Sequence, residues 1–189
     1  MEIIKDVKVI SSKGNSKILT NDIMITADKI VYNKSKFEIR AFDNVKVLSK
    51  NLKGEFIEIY GDRANYNMNT QNGKVLGDQI CLKYFTEIFF PSFTLYTKNF
   101  FFDTKTKTFS VYGNVEILTS TIKIYSDNGI FTEKSHSMMF TKNVKKPVAI
   151  INYNNKSVYY EADKMFFYYA ENQKRMVMSG SVYAKIEMV

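Results

Sequence analysis

Residues 93–118, FTLYTKNFFFDTKTKTFSVYGNVEIL, contain the pattern that recurs along the whole chain. Apolar and polar residues alternate on both sides of a run of three phenylalanines at 100–102. Polar corners at Lys98-Asn99 and Gly113-Asn114 interrupt this alternation, and a charged turn occupies residues 103–108. These residue types suit corners, because Asp and Asn bond their own backbone and Gly accepts a positive φ. Period-two alternation broken in this way predicts short antiparallel β-strands.

Five units of the chain repeat this pattern. In each unit a small or polar residue and an Asp or Asn form a first corner, and a second corner follows 15 to 18 residues later. The first corners lie 34, 37, 28 and 36 residues apart, a range that marks repeat architectures, because a single unit cannot bury its own apolar face. The first corners are Ala27-Asp28, Gly61-Asp62, Lys98-Asn99, Ser126-Asp127 and Ala162-Asp163, and the second corners are Asn44, Asp78, Asn114, Asn143 and Ser181.

The same pattern argues against helices and against a division of the chain. No long window carries an apolar stripe at i, i+3, i+4 and i+7 that is free of β-branched and aromatic crowding. No Gly/Ser-rich or Pro-rich linker interrupts the 189 residues. The sequence therefore predicts a single all-β domain over residues 1–189, with roughly 14 to 16 short strands.

The net charge of +8 favours anionic partners such as nucleic acid, anionic lipid or a phosphorylated glycolipid. The charges are spread over every unit, which is also what a solvated β surface shows. Lysines and aromatics are interleaved, as at 83–85, and such platforms bind single-stranded nucleic acid. Alternation, however, places neighbouring residues on opposite faces of a strand. We therefore expect no nucleic-acid partner.

Few residues could carry catalysis or hold a metal. His136 is the one histidine and lies in a polar stretch, and Cys81 is the one cysteine, most simply a small core residue. No metal-ligand spacing is present, and the glycines fall mostly singly at corners, so no phosphate-binding loop or dinucleotide site is predicted. The recurring Asp residues occupy equivalent corners, which indicates a structural role. We expect a protein that is not an enzyme and that has no cofactor or metal.

Several short segments resemble one known family. Residues 111–115, VYGNV, are the most specific, and similar pieces are IKIYSD at 122–127, KPV at 146–148, EAD at 161–163 and SGSVYA at 179–184. Together they resemble the OstA-like repeat of the lipopolysaccharide transport family, which includes LptA, LptC and the periplasmic domain of LptD. The likeness is best over residues 93–188 and looser over 4–82. Two departures are Asn99, where the family has Asp, and Asn143, which lacks its Gly.

The resemblance implies a β-jellyroll whose two sheets fold over each other in an open V. It implies a non-enzymatic periplasmic carrier that passes lipopolysaccharide from the inner to the outer membrane, with the acyl chains in the apolar interior. The implied partners are lipopolysaccharide and other Lpt components. These components join end to end by β-strand pairing through the terminal units, residues 2–9 and 176–188, and a homo-oligomer is among the expected assemblies. The sequence shows no signal peptide, which fits either a cytosolic protein or one whose leader or anchor was removed. Because the chain begins within a repeat, we expect removal; association with the inner membrane is a further expectation.

The apolar positions of the best-matching half are the candidates for contact with acyl chains. Burial of each CH2 group contributes roughly 0.8 kcal/mol, and methionines such as Met138, Met139, Met176 and Met178 provide an adaptable lining. The same positions fit an ordinary sandwich core equally well, and a one-residue slip of register would reverse every assignment. The candidate lipid-binding residues are Leu95, Phe101, Phe109, Val111, Val115, Ile117, Ile124 and Phe167.

Two other functions are compatible with the sequence. A structural β-solenoid scaffold or filament protein would have a filled core and no lipid ligand. A basic β-domain would bind nucleic acid with an affinity that falls steeply with salt.

Overall fold

The computed structural model describes residues 2–3, 9–21, 23–50, 56–85, 92–154, 156–168 and 175–188. Their strands are β1 (Glu2–Ile3), β2 (Val9–Leu19), β3 (Ile23–Asn33), β4 (Glu38–Lys50), β5 (Phe56–Asn67), β6 (Asn72–Phe85), β7 (Phe93–Asp103), β8 (Thr108–Leu118), β9 (Ile122–Thr132), β10 (Ser137–Thr141), β11 (Val148–Tyr153), β12 (Lys156–Glu161), β13 (Lys164–Tyr168), β14 (Arg175–Ser179) and β15 (Tyr183–Met188). All described pairs are antiparallel and belong to one sheet. The predicted all-β fold of roughly 14 to 16 strands is confirmed. Part of the predicted N-terminal joining unit, residues 4–8, lies outside the described residues.

Hairpin turns of one design connect neighbouring strands at one end. Residues 34–37, 68–71, 104–107 and 133–136 form these turns, and the third confirms the turn predicted at 103–108. Each ends on a residue in left-handed conformation, with φ of 51° at Phe37, 57° at Gln71, 54° at Lys107 and 44° at His136. In the first three turns the preceding Asn33, Asn67 or Asp103 accepts backbone N–H bonds of 2.8 to 3.1 Å through its side chain.

The corners of the sequence pattern lie inside the strands rather than at their ends. Strands β2 to β9 are therefore 11 to 14 residues long, not short as predicted. Every pair from β2–β3 to β8–β9 changes register at the corner. An irregular register bends a strand and increases its local twist, so each strand turns through the corner and continues. Only in the last units does the corner separate two strands, as at Ala162-Asp163 between β12 and β13.

Asp side chains fix these corners by bonding the second corner of the same unit. Asp28 Oδ2 accepts the side-chain amide of Asn44 at 2.7 Å, and Asp163 Oδ2 accepts the backbone N–H of Ser181 at 2.8 Å. The same bond links Asp62 to the N–H of Asp78 at 3.2 Å, while Asp127 accepts two backbone N–H groups of the loop 142–147. The structural role predicted for these residues thus has a definite geometry.

The corners divide the sheet into two halves that face each other. Half-sheet A contains the first halves of β3, β5, β7 and β9, the second halves of β2, β4, β6 and β8, and strands β11, β12 and β15. Half-sheet B contains the other halves of β2 to β9 and strands β1, β10, β13 and β14. The split is explicit at β9, where residues 122–125 pair with β11 and residues 129–132 pair with β10.

One apolar core fills the space between the half-sheets. The ring of Phe93 in half-sheet A lies 6.0 Å from the ring of Phe131 in half-sheet B, which shows that the two inner faces meet. Buried residues alternate along each half-strand, as in Phe93, Leu95 and Thr97 of β7, and they form one continuous cluster. This arrangement is a folded-over sheet with its apolar face inside and its polar face in solvent.

Candidate functional site

The inner faces of the half-sheets carry a connected chain of aromatic rings. Phe109 and Phe131 stack with ring centroids 4.3 Å apart, and Phe131 lies edge-on to Phe140 at 5.9 Å. The other contacts of the chain measure 5.1 to 6.0 Å between centroids. The nine rings belong to Tyr66, Tyr84, Phe93, Phe100, Phe102, Phe109, Phe131, Phe140 and Phe167. They run across the interior from β5 to β13 and give it a continuous apolar surface.

Seven of the eight predicted lipid-contact residues lie on this inner surface. Leu95, Val111, Val115, Ile117 and Ile124 are no more than 2% exposed, Phe167 is buried, and Phe109 is half-buried against Phe131. These residues are brought together in a single cluster that spans both half-sheets. Their contact with lipid stays a prediction.

The placement of Phe101 inside was wrong. Its side chain lies on the outer face of half-sheet B, 41% exposed, with its ring edge-on to Tyr112 at 5.8 Å. The corner at Lys98-Asn99 is the reason: two successive residues point outward there, so the buried series 93, 95, 97 continues at 100 and 102. Counting in steps of two from Leu95 without this shift leads to Phe101.

Sequence reasoning missed several of the largest inner side chains. Tyr66, Phe100, Phe131 and Phe140 are each at most 1% exposed, and none was among the candidates. All four follow a corner or a turn, where the alternation restarts in a new phase. Resetting the phase at each Asp or Asn corner would have found Phe100 and Phe131. Of the methionines proposed for the lining, Met138 is buried, whereas Met139 pairs with Ile130 on the outer face.

The interior opens toward the C-terminal edge of the molecule. Ala149, Tyr160 and Ala184 are cross-strand neighbours on half-sheet A. Ala149 is fully buried, Tyr160 is half-buried and Ala184 is exposed. The next inner row ends at Ile186, which is 67% exposed although it shares a face with core residues. On half-sheet B the corresponding end carries Met176 and Met178, both packed against the core. We call this end, formed by β12 to β15, the C-terminal mouth.

The surroundings of the mouth are polar and mostly cationic. Lys146 Nζ lies 3.4 Å from the carboxylate of Glu161 and 3.5 Å from the carbonyl oxygen of Ser181. The Ser181 backbone N–H holds the pKa of Asp163 below its usual range. Lys142 and Lys145 project from the loop 142–147, and within the described residues they have no ion pair. Of the cations beside the apolar opening, Lys142 and Lys145 are thus the ones placed to attract an anion, since Lys146 is paired with Glu161.

The described residues contain no arrangement suited to metal binding. None of their His, Cys, Asp and Glu side chains form a group of three or more that could hold a metal ion. His136 ends a hairpin turn, and burial raises the pKa of the Cys81 thiol, which leaves it less reactive. The same residues also include no helix of the length and apolar character that crossing a bilayer needs.

Comparisons with known proteins agree with this architecture. No curated protein matches the chain by sequence. Among solved structures the chain is similar to LptH from Pseudomonas aeruginosa, described as the LptA-homologous periplasmic component of the conserved lipopolysaccharide transport device. The TM-score is 0.51 at 8% identity, and the match covers 58% of this chain and 75% of LptH, so the likeness shows the β-jellyroll fold alone. The sequence model of the family described as OstA-like protein matches residues 2–157. Because that match includes most of the repeat units, the chain belongs to the OstA-like protein family.

Proposed function

We propose that this protein is a non-enzymatic carrier of lipopolysaccharide that holds the acyl chains in its apolar interior. The observation that supports this best is the C-terminal mouth, where the inner apolar surface continues into solvent at Ile186. Ile186, Tyr160, Met176 and Met178 together form an apolar patch at this edge, and such a patch, unlike a single exposed side chain, marks a site for a ligand or partner. The aromatic rings and methionines behind the mouth offer apolar surface of the adaptable kind that several acyl chains need.

The energetics of this carrier are favourable. Each acyl CH2 group removed from water contributes roughly 0.8 kcal/mol, so one chain of a dozen carbons contributes several kcal/mol before the cost of ordering it. The inner residues Leu95 and Val111 are fully buried, so loading requires that side chains of the two half-sheets separate. The contact of Phe93 with Phe131 joins the half-sheets and is the one we expect to open.

The likeness to LptH and the family membership support a periplasmic place in a transport bridge. In this proposal the chain joins other Lpt components, or a second copy of itself, end to end. The edge strands β14 and β15 have an unpaired side in the described structure, and such edges are natural joints for strand addition. Lys142 and Lys145 beside the mouth would meet lipid phosphates as point charges.

A structural scaffold without lipid is the second candidate. The observation that favours it is the close packing of the predicted groove, because Leu95, Val111, Val115 and Ile117 have no more than 1% of their surface exposed. In that case the aromatic chain is simply a core, and the mouth is only a joint between copies.

Site-specific photo-crosslinking to lipopolysaccharide separates the two functions. A photoreactive amino acid is placed at Tyr160 or Met176, which line the mouth, and at Tyr125, an exposed residue on the outer face of half-sheet A, as the matched control. The carrier predicts saturable crosslinks through the acyl chains at Tyr160 and Met176 and none above background at Tyr125. Equal labelling of all three positions, or folded protein without saturable labelling, would favour the scaffold.

A further inference from the structure

Two adjoining grooves lie on the outer face of half-sheet B, on the side away from the core. The larger has a volume of about 520 Å³ and the smaller about 130 Å³, and they share Asn65 and Lys74. Both are formed by β4, β5 and β6, and the larger continues over β7 and β8. The acyl-chain interior described above does not include this surface.

The larger groove combines amides, hydroxyls, an exposed aromatic ring and the carboxylates of Glu38 and Asp103. Phe101 is 41% exposed at its wall, and Tyr112 holds the ring edge-on at 5.8 Å. The Asn65 amide donates to Glu38 at 2.7 Å, which leaves its oxygen available, and the hydroxyl of Ser110 lies in the same groove. An apolar wall with a few fixed donors and acceptors is the usual make-up of a ligand site. A ring face beside amide and hydroxyl groups suits sugars, which present C–H patches and hydroxyls together.

The smaller groove adds an excess of positive charge. Arg40, Arg63 and Lys74 line it. The nearby anions are Glu38, which pairs with Arg40 at 2.8 Å, and Asp103 in the adjoining larger groove, so the cations outnumber the carboxylates by one. In the described part of the chain neither Arg63 nor Lys74 has an ion pair. Arg63 is the diagonal cross-strand neighbour of Lys74, since Lys74 pairs with Asn65 two residues on. Two cations on diagonally neighbouring positions of adjacent strands, neither with an ion pair in the described residues, suit a phosphate or another compact anion.

The larger groove also reaches the edge of the interior. Phe102 lines it, although the same ring packs inside against Tyr66 with centroids 5.8 Å apart. This is possible because residue 73 is glycine: a Cβ there would lie 2.5 Å from Phe102 Cζ. The groove therefore adjoins the inner aromatic chain at Phe102.

We propose that these two grooves form a binding site for a phosphorylated oligosaccharide, with sugar rings against Phe101 and a phosphate at Arg63 and Lys74. The inference goes beyond the proposed carrier function, because the site needs no acyl chain. It specifies where the hydrophilic part of a glycolipid, or a free phosphorylated saccharide, is held.

Calorimetric titration with a deacylated, phosphorylated oligosaccharide released from lipopolysaccharide tests the site. Phe101→Ala and Lys74→Gln are each expected to weaken binding about tenfold, because one removes the ring surface and the other a charge-assisted hydrogen bond. The matched controls are Phe166→Ala, on the same outer face near the C-terminal edge, and Lys123→Gln, an exposed lysine on half-sheet A. Both controls are expected to bind like the unaltered protein.

Two further ligands define the chemistry. The same oligosaccharide after phosphatase treatment is expected to bind more weakly, and the difference is expected to be smaller in Lys74→Gln, where Arg63 alone remains for the phosphate. Inorganic phosphate that binds as tightly as the oligosaccharide would reduce the site to an anion patch and overturn the proposal. Absence of saturable binding, or equal effects of the variants and their controls, would also overturn it. Acyl-chain crosslinks at Tyr160 and Met176 would then still stand, so the two proposals fail independently.

Discussion

Residue 73 illustrates how one absent side chain shapes both faces of the sheet. A Cβ at this glycine would lie 2.5 Å from the ring of Phe102 and 2.6 Å from the backbone oxygen of Asn65. The ring can therefore pack inside against Tyr66 while its edge borders the outer groove. Glycine is required here by space, because the close neighbour is partly backbone and cannot move aside.

Gly73→Ala is expected to destabilise the protein by about 1–3 kcal/mol, the usual cost of overpacking. Gly77→Ala in the same strand is the matched control. Its Cβ would approach Asp62 Oδ2 at 2.9 Å and the Asp62 backbone nitrogen at 3.2 Å, contacts less close than those at residue 73. We expect a smaller loss in Gly77→Ala, although the bond from the Asp78 N–H to Asp62 must adjust. The free energy of unfolding from urea denaturation measures both variants, and an equal loss in the two would contradict the steric explanation.

Carboxylates with lowered pKa values make the stability of this fold depend on pH. The hydrogen bond from Lys46, helped by one from Tyr60, lowers the pKa of Glu58, and the amide of Asn65 followed by Arg40 lowers that of Glu38. A carboxylate with a lowered folded-state pKa binds a proton less readily than it does in the unfolded chain. Its contribution to stability is therefore complete above the unfolded pKa, about 4.3 for Glu, and is lost as pH falls through the folded pKa.

We accordingly expect the melting temperature to be level near neutral pH and to fall below about pH 4. In Glu58→Gln the fall is expected to be shallower, because one of the titrating groups is gone. Thermal melts followed by circular dichroism at stepped pH measure the slope. An identical slope in Glu58→Gln and the unaltered protein would show that this carboxylate does not contribute.

At the scale of elements, the corner bends a long strand so that its two halves belong to different half-sheets. The Asp of the first corner replaces a lost ladder bond with one from its side chain to the second corner. Asp127 makes two such bonds: its Oδ2 accepts the backbone N–H groups of Val144 at 2.8 Å and Lys145 at 2.7 Å. These bonds hold the loop 142–147 between β10 and β11.

Asp127→Ala is expected to destabilise the protein by about 1 kcal/mol, because water replaces the carboxylate at two exposed N–H groups. The control is Asp78→Ala, which removes an exposed corner carboxylate but keeps the backbone N–H that bonds Asp62. Its effect is expected to stay within about 0.5 kcal/mol. Denaturant unfolding compares them, and a larger loss in Asp78→Ala would show that the corners depend on charge rather than on this bond.

The corners also explain which parts of the structure were predictable. Period-two alternation and recurring Asp and Asn residues indicated the all-β fold and the positions of the corners. They did not indicate that strands continue through a corner, because the same residue types also end strands. Since each bend can reset the inward phase, Phe101 was placed inside and Phe100 and Phe131 were missed, whereas Leu95 and Ile117, counted within one half-strand, were placed correctly. The outer grooves depend on side chains from several strands and had no signal in the sequence.

At the scale of the whole molecule, the graded burial toward the C-terminal edge bears on the proposed end-to-end joining. Ile186 and Tyr183 remain 67% and 52% exposed on the edge strand β15. A further β-sheet added to this edge would pair its backbone and bury the end of the inner face. End-to-end joining would therefore complete the core and extend the apolar interior in one step.

Ile186→Glu tests this joint without disturbing the fold, because the side chain is exposed in the single chain. If copies join through the mouth, the variant buries an unpaired charge at the joint and weakens self-association about tenfold or more, equivalent to roughly 1.4 kcal/mol. Ile130→Glu, at a 38% exposed residue on the outer face of half-sheet B, is the matched control and is expected to associate normally. Sedimentation velocity over a range of concentrations measures the assembly. A chain that stays monomeric throughout would contradict joining to its own copies, and oligomers that persist unchanged in Ile186→Glu would place the joint elsewhere.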